Sequence, residues 1–442
     1  MNSRKCLFYR PAILLILTLA LILPSSVSAE TLRRQLNDMF QSVIDINLAG
    51  PGSHGSHFTV DNVESNGLII DVLQNYIAVN AATYPLTSSA AAITYDFSTG
   101  VPIASLESAG PIYAHRFETI GKKRLSVGFN FTAYDLETIR GLNTDDITVS
   151  FLHEDVNDNG TGDLVMEQDY IDLHLRTDID ASILAFYATY GLSDRLDVGI
   201  AIPVVTVSMV LDPTAVMNSS SAVVFGSPLH FWGGDGDTSF VWSPGIFEER
   251  STGVGDIAFR AKYNFLDRGD RGLSAYFELR MPTGDEDNFL GTGNTSLRAL
   301  LVGSASYGTF TPHFNLGFDL RSGDFERDEF ELTLGYDFKA TDKLTLVADW
   351  IGEFELGSAV EELQFPEATR LIPTSDNSVP YSRSVSPSNI PNARNDNITN
   401  VGFGAKWALS EKLVISGSVL FPTNDNGLRG NFVPTFGLDL SL

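Results

Sequence analysis

Phe310-Thr311-Pro312-His313-Phe314-Asn315-Leu316-Gly317-Phe318-Asp319-Leu320-Arg321 alternates without a break. Phe310, Pro312, Phe314, Leu316, Phe318 and Leu320 hold one parity, and Thr311, His313, Asn315, Gly317, Asp319 and Arg321 hold the other. Successive strand side chains point to opposite faces, so this stretch reads as a strand with one apolar and one polar face. The next stretch repeats it, with Phe330, Leu332, Leu334, Tyr336 and Phe338 against Glu329, Glu331, Thr333, Asp337 and Lys339. Residues 125–134, 256–265, 273–281, 344–354 and 401–409 follow the same rule, and the chain ends on Phe436, Leu438, Leu440 and Leu442.

A soluble sandwich and a transmembrane barrel both fit that alternation. Three features favour the barrel. The runs are about 9 to 12 residues long, as a bilayer requires, whereas soluble strands average about 5 to 6. Aromatic side chains gather near the strand ends (Tyr263 with Phe265, Trp350 with Phe354, Trp407), where an interfacial girdle belongs. Short connections at 121–124, 191–196, 266–271, 304–308, 340–344 and 409–413 alternate with long ones at 135–169, 210–252, 283–294, 355–397 and 422–431, and a shorter one at 322–327. Short periplasmic turns and long outer loops are the pattern of outer-membrane barrels. The expected class is therefore all-β, a transmembrane antiparallel up-and-down β-barrel. Counting from Arg124 predicts twelve strands. Strand two (170–190) breaks its alternation near Ser182 and Leu184, which reads as a bulge. Strand six (295–304) alternates poorly.

Residues 30–120 follow another pattern. Leu32, Leu36, Met39, Phe40, Val43 and Ile44 have helical spacing within 30–48, and Gly50-Pro51-Gly52 breaks it. The stretch 70–79 is ambiguous between helix and buried segment. Residues 93–97 and 112–120 supply two more strands in a 14-strand alternative. The expectation is thus 12–14 strands, with residues 30–110 as an N-terminal, partly helical plug or periplasmic segment and 111–442 as the barrel. A barrel of that width is not filled by its own wall side chains. The lumen is then the nearest place to bury the apolar N-terminal stretches, which favours the plug.

The chain has 442 residues, 43% of them hydrophobic, with 55 Asp plus Glu against 29 Lys plus Arg. Such acidity argues against nucleic acid as a partner, because like charge repels phosphate. Arg4, Lys5 and Arg10 precede an apolar run over 12–23, and Val27-Ser28-Ala29 supplies the small residues of a cleavage site. Residues 1–29 read as a secretory signal peptide of a Gram-negative exported protein. Its removal takes away Cys6, the only cysteine, so a disulfide or thiolate metal site is not expected. No later apolar run approaches the roughly 18 residues of a spanning helix.

Leu279-Arg280-Met281-Pro282-Thr283-Gly284-Asp285-Glu286-Asp287, followed by Leu290-Gly291-Thr292-Gly293, resembles the phenol meta-pathway (MetA-pathway) family of outer-membrane proteins, in which a strand ends in a similar Pro-Thr-Gly-Asp loop. The turn Tyr190-Gly191-Leu192-Ser193-Asp194-Arg195-Leu196 with Asp197-Val198-Gly199, and the strand entry Gly253-Val254-Gly255-Asp256, are similar to the same family. Pro422-Thr423-Asn424-Asp425 is a fainter echo. The likeness covers roughly 170–442. It implies a transporter-like outer-membrane barrel passing small hydrophobic or aromatic compounds, and it transfers no functional residue. Such barrels usually end in an aromatic side chain recognised by the barrel-assembly machinery, where this sequence has Leu442.

The polar parity places Arg260, Lys262, Glu278, Arg280, His313, Asp319, Arg321, Glu329, Glu331, Asp337, Lys339, Asp349 and Glu353 on the lumen side. Such a lining selects solutes by charge, or opposite charges on neighbouring strands simply pair and stiffen the wall. Pairing is the commoner outcome for any one residue. Asp155, Asn157, Asn159 and Asp163 match the start of a calcium loop, although Met166 stands where a bidentate Glu belongs. A solvated acidic loop is the default there, and apart from surface calcium no cofactor is expected. His54 and His57 are the only close histidine pair, beside Gly52 and Gly55, and a flexible loop explains them. No G-x-S-x-G elbow appears, and nothing calls for an enzyme. The reading is a porin-like passive channel or transporter, with outer-membrane lipid and a small-molecule solute as partners. The alternative is a surface-exposed adhesion or structural barrel whose acidic loops bind partners or calcium.

Overall fold

The computed structural model describes residues 31–43, 47–48, 58, 77, 93–96, 101–104, 111–233, 239–323, 327–357, 367–410 and 412–441. The signal peptide, the Gly50-Pro51-Gly52 break, the His54–His57 pair and all of 70–79 except Ile77 lie outside them.

Twelve strands form the wall: β1 (Leu125–Asp135), β2 (Tyr170–Ser193), β3 (Leu196–Asn218), β4 (Ile257–Asp267), β5 (Arg271–Met281), β6 (Ser296–Ala305), β7 (Phe310–Arg321), β8 (Glu329–Lys339), β9 (Leu344–Glu355), β10 (Ile398–Ala408), β11 (Leu413–Pro422) and β12 (Val433–Ser441). Each pairs antiparallel with the next, and β12 pairs with β1, so the sheet closes and leaves no edge. The 14-strand alternative is wrong. Ile93–Asp96 and Val101–Ala104 pair with each other outside the wall, and 112–120 contains no strand.

Phe259, Tyr263, Phe277, Phe318, Leu334, Phe338, Trp407 and Phe436 stay exposed on the outer face, while Asn315, Asp337, Lys406 and Asp439 are buried on the inner one. That is the arrangement lipid demands. No described helix is long and apolar enough to cross a membrane; this chain crosses with strands. The protein is an outer-membrane β-barrel, and its short turns mark the periplasmic rim.

β2 and β3 have 24 and 23 residues, about twice what a bilayer needs. Their upper halves stand above the membrane, and there the two faces exchange chemistry. Leu184, Phe186 and Ala188 point outward near the periplasmic end, but Asp172, His174, Arg176, Asp178, Asp180 and Ser182 take the same parity farther up. This exchange is what broke the alternation at Ser182–Leu184. The register runs continuously from Tyr170↔Asn218 to Gly191↔Asp197, so no bulge lies there; the irregularity falls between Gly191 and Ser193. Water outside the upper hairpin wants polar side chains, and its inner face carries Ile171, Leu173, Leu175, Ile179, Val205, Val207, Met209 and Leu211 instead. Ile147–Leu152 extends this hairpin on the β2 side and Phe247–Val254 on the β3 side, so parts of two predicted loops are wall.

Helix α1 (Leu32–Val43) buries Leu32, Leu36, Met39, Phe40 and Val43 in that same apolar cluster, one stripe of a 3.6-residue period. Asn47–Leu48, within the stretch of helical spacing read to 48, pairs instead with His230–Phe231. The space beside α1 is closely filled: the apolar cavity between Leu36, Ile77, Ile139, Leu175 and Leu211 measures about 20 Å³, little more than one water. β6 alternates poorly because Leu300 and Val302 put apolar side chains on its inner face too, packed on Tyr276.

Candidate functional site

Segment 111–121 crosses the lumen as an irregular strap near the periplasmic turns, tied to most of the circumference. The Tyr113 N–H donates to Asp349 Oδ2 at 3.2 Å on β9, and its hydroxyl meets Ser418 Oγ at 2.9 Å on β11. The His115 ring stacks on Tyr276 of β5 at 4.0 Å between centroids. Asn315 of β7, in the amide orientation that satisfies both bonds, accepts from His115 N and donates to His115 O at 2.7 and 2.9 Å. Arg116 forks onto Asp337 of β8, Nε to Oδ1 at 3.3 Å and Nη2 to Oδ2, and both side chains are essentially sealed, at 2% and 0% exposure. Lys262 Nζ donates to the Arg116 carbonyl at 3.4 Å; Asn264 Nδ2 at 3.1 Å and Ser274 Oγ donate to that of Phe117. The Ile120 N–H donates to Asp197 Oδ2 at 2.9 Å on β3. The backbone groups of a non-strand segment need partners inside a barrel, and these polar wall residues supply them.

Above the strap the wall from β4 to β8 carries a ladder of ion pairs. Arg260 Nε lies 2.8 Å from Glu278 Oε2, and Arg280 Nη2 3.3 Å from Glu278 Oε1. Arg298 Nε reaches Glu331 at 2.8 Å and its Nη2 lies 3.9 Å from Asp319. Arg321 bridges Asp319 at 3.3 Å and Glu329 at 2.7 Å. Like charges stand opposite at Asp319↔Glu329 and Glu331↔Glu353, which is unfavourable unless cations intervene, and Arg298 and Arg321 do so. The carboxylates of Asp319, Glu329 and Glu331 come within 4.8 Å of one another, a spacing open to a metal, but the two guanidinium groups already occupy them.

The lumen candidates sit on inner parities, and ten of the thirteen, all but Lys339, Asp349 and Glu353, fall into two tiers. Lys262, His313 and Asp337 hold the strap or its neighbours, with His313 Nε2 at 2.7 Å from Asp349; the other seven form the ladder. Lys339 instead lies at the rim and pairs with Asp342 at 3.1 Å.

Two of the stretches that resemble the family, 253–256 and 282–293, meet in one knot at the outer end. Asp256 accepts from the N–H groups of Gly284 and Thr292, both at 2.9 Å, and Thr283 Oγ1 donates to the Gly255 carbonyl at 2.8 Å. Gly284 is required by close approach: a Cβ there would lie 2.5 Å from the Leu290 carbonyl oxygen. The knot also grips α1. The Leu32 N–H donates to Asn288 Oδ1 at 3.3 Å, Arg33 Nε lies 3.7 Å from Asp287, and its guanidinium sits 5.6 Å from the Phe289 ring centroid. Asp256→Ala strands two N–H donors at a cost of about 1–3 kcal/mol each. Faster hydrogen exchange over 283–294 and over 32–43 together is the expected result; exchange confined to the loop would mean the helix is held elsewhere.

Asp155, Asn157, Asn159 and Asp163 do come together, but as a self-satisfied turn. Asp155 accepts from the N–H groups of Asn157 and Asn159, both at 3.3 Å, and of Gly160 at 2.6 Å, and Asn157 and Asn159 donate their amides to Asp163. Those backbone donors, Gly160 foremost, hold Asp155 below the ordinary carboxylate range.

Sequence reasoning missed Tyr113, Arg116, Arg298, Lys406, Asp439 and Asp256. Parity within β10 and β12 marks Lys406 and Asp439 as inward, and the failed alternation of β6 hid Arg298. Tyr113 and Arg116 lie on no strand, so no periodicity announces them.

A closed barrel with a polar wall and an internal strap is an outer-membrane barrel of the lumen-occupied kind. The profile of the family described as "Putative MetA-pathway of phenol degradation" matches residues 153–433, and the chain belongs to that family. No curated protein matches the chain. Among solved structures it is similar to an outer-membrane channel from Pseudomonas putida F1, at 12% identity and TM-score 0.41, over 74% of this chain and 98% of that one. It is also similar to a Pseudomonas aeruginosa FadL homologue (11%, 0.33, over 82% and 99%). The P. putida toluene transporter TodX follows (10%, 0.31, over 74% and 90%).

Proposed function

We propose that this protein is a passive outer-membrane channel for small hydrophobic or aromatic molecules, exported by its N-terminal signal and plugged by α1 and the 111–121 strap. The observation that carries the reading is the apolar inner face of the β2–β3 extension, now packed against α1, which becomes a hydrophobic lining above the membrane when the helix moves aside. An adhesion barrel has no use for such a lining, and the acidic outer turn at 155–163 is closed on its own hydrogen bonds. The reading is a channel rather than an enzyme. The transport of toluene described for the P. putida protein is consistent with it.

The test is uptake of labelled toluene by Gram-negative cells with an intact lipopolysaccharide leaflet. Cells carrying the protein should take it up faster than cells without it, and deleting residues 31–85 should raise single-channel conductance and sensitivity to bulky antibiotics. Equal uptake with and without the protein overturns the channel. A correctly assembled deletion barrel with unchanged conductance overturns the plug.

A further inference from the structure

We infer that the turn joining the strap to β1, Gly121-Lys122-Lys123-Arg124, is a binding seat for the headgroup of an anionic phospholipid in the periplasmic leaflet. The inference stands whatever solute the lumen passes, and it gives the strap an anchor outside the barrel.

Lys122-Lys123-Arg124 is the only run of three basic residues in a chain with 55 acidic residues against 29 basic ones. The fold sets this run on the periplasmic rim, at the depth of the phospholipid headgroups. Its neighbours on the wall are apolar. Tyr190 and Leu192, at the end of β2, are 41% and 50% exposed, and Leu125 of β1 lies opposite Tyr190. Cations beside an apolar strip match a phosphate beside acyl chains. An anionic headgroup is also the partner that a basic turn at this depth meets first. Each lysine near an anionic lipid surface strengthens binding about five-fold, and salt weakens the effect.

Backbone bonds fix the turn and leave the two lysine heads outside. The Lys123 N–H donates to the Gly191 carbonyl at 2.7 Å, and the Lys122 N–H to Asp194 Oδ1 at 3.2 Å. Arg124 turns back toward the strap, its Nη1 donating to the Ile120 carbonyl at 3.2 Å. Lys122 and Lys123 are both exposed, and among the described residues neither side chain makes an ion pair. Asp194 faces the turn, and Arg195 beside it offsets that charge, so the seat stays positive. Lys123 adopts φ 62°, in the left-handed region where glycine or asparagine sits with less strain. The fold gains nothing from a lysine there; what the side chain supplies is charge. Thr119 and Ile120 are tied to the Asp194 carbonyl and to Asp197 at the same end. A lipid bound at the turn therefore pins the strap where it leaves the lumen.

Native mass spectrometry of the whole barrel released from detergent tests the seat. The titrants are phosphatidylglycerol and zwitterionic phosphatidylethanolamine with the same acyl chains. The first phosphatidylglycerol should bind more tightly than the first phosphatidylethanolamine. Lys122→Gln with Lys123→Gln should weaken its binding about 25-fold at low ionic strength. Lys343→Gln with Lys412→Gln removes exposed cations from two other turns and should leave it unchanged. Heat-modifiable migration checks that each variant barrel is assembled. Equal binding of the two lipids, or a loss no greater in the 122–123 pair than in the 343–412 pair, overturns the seat. Lysine-dependent sedimentation with peptidoglycan sacculi, without preference for phosphatidylglycerol, overturns it too, because the partner is then the cell wall.

Discussion

Asp337→Asn should open the periplasmic half of the lumen and lower the stability of the barrel at once. Arg116 and Asp337 are sealed from solvent, and the guanidinium fork is the strongest single tie between strap and wall. Neutralising one member of a buried pair withdraws the charge that the other faces, a cost of about 3–5 kcal/mol. The cheapest relief is for Arg116 to move toward water, which pulls 111–121 off β8. Single-channel conductance in planar bilayers should rise, and the midpoint of detergent or urea unfolding should fall. The double variant Asp337→Asn with Arg116→Met, which removes both buried charges, should cost less stability than Asp337→Asn alone yet still free the strap. Conductance unchanged in both variants would show that the backbone ties at Asp349, Asn264 and Asp197 suffice.

Arginine scanning of the outer face should give a steep dependence on depth. Phe314 lies midway between the outward-facing Phe310 and Leu320 on β7, and Phe314→Arg should cost about 2–4 kcal/mol. Phe338, near the periplasmic rim, should tolerate Arg at about 0–1 kcal/mol. Asp178 shares its outward parity with Phe186 on β2 but stands in the polar upper half, and Asp178→Arg should stay within about 0.5 kcal/mol. Reversible unfolding from lipid vesicles reads all three. A cost at Asp178 equal to that at Phe314 would put the upper hairpin in the membrane and remove the reason for its exchanged faces.

Much of the wall was legible in order. Alternation marked β7 and β8 residue by residue, the near-repeated turns at 191–196, 340–344 and 409–413 marked the periplasmic rim, and parity placed Arg260, Glu278 and Asp319 inward. Period two reports that a strand has two different faces; it does not say which medium each face meets. At Ser182–Leu184 the medium changes from water to lipid while the strand continues, so a real change of surroundings looked like a bulge. β6 failed for the converse reason, since its inner face packs on Tyr276 and is apolar on both sides.

By itself the sequence determined the class: exported, all-β, a barrel of 12–14 strands with lipid on one parity. It also carried the paired motifs 253–256 and 282–293, though not that Asp256 would tie them together. Tertiary structure alone decided what fills the barrel. Residues 112–120 have the composition of a strand, yet they run across the lumen because no wall position remains for them once β12 has paired with β1. Arg116 then meets Asp337 across 221 residues of chain and Tyr113 meets Ser418 across 305. Such contacts depend on barrel closure, which brings distant inner faces to one axis, and no local pattern encodes that.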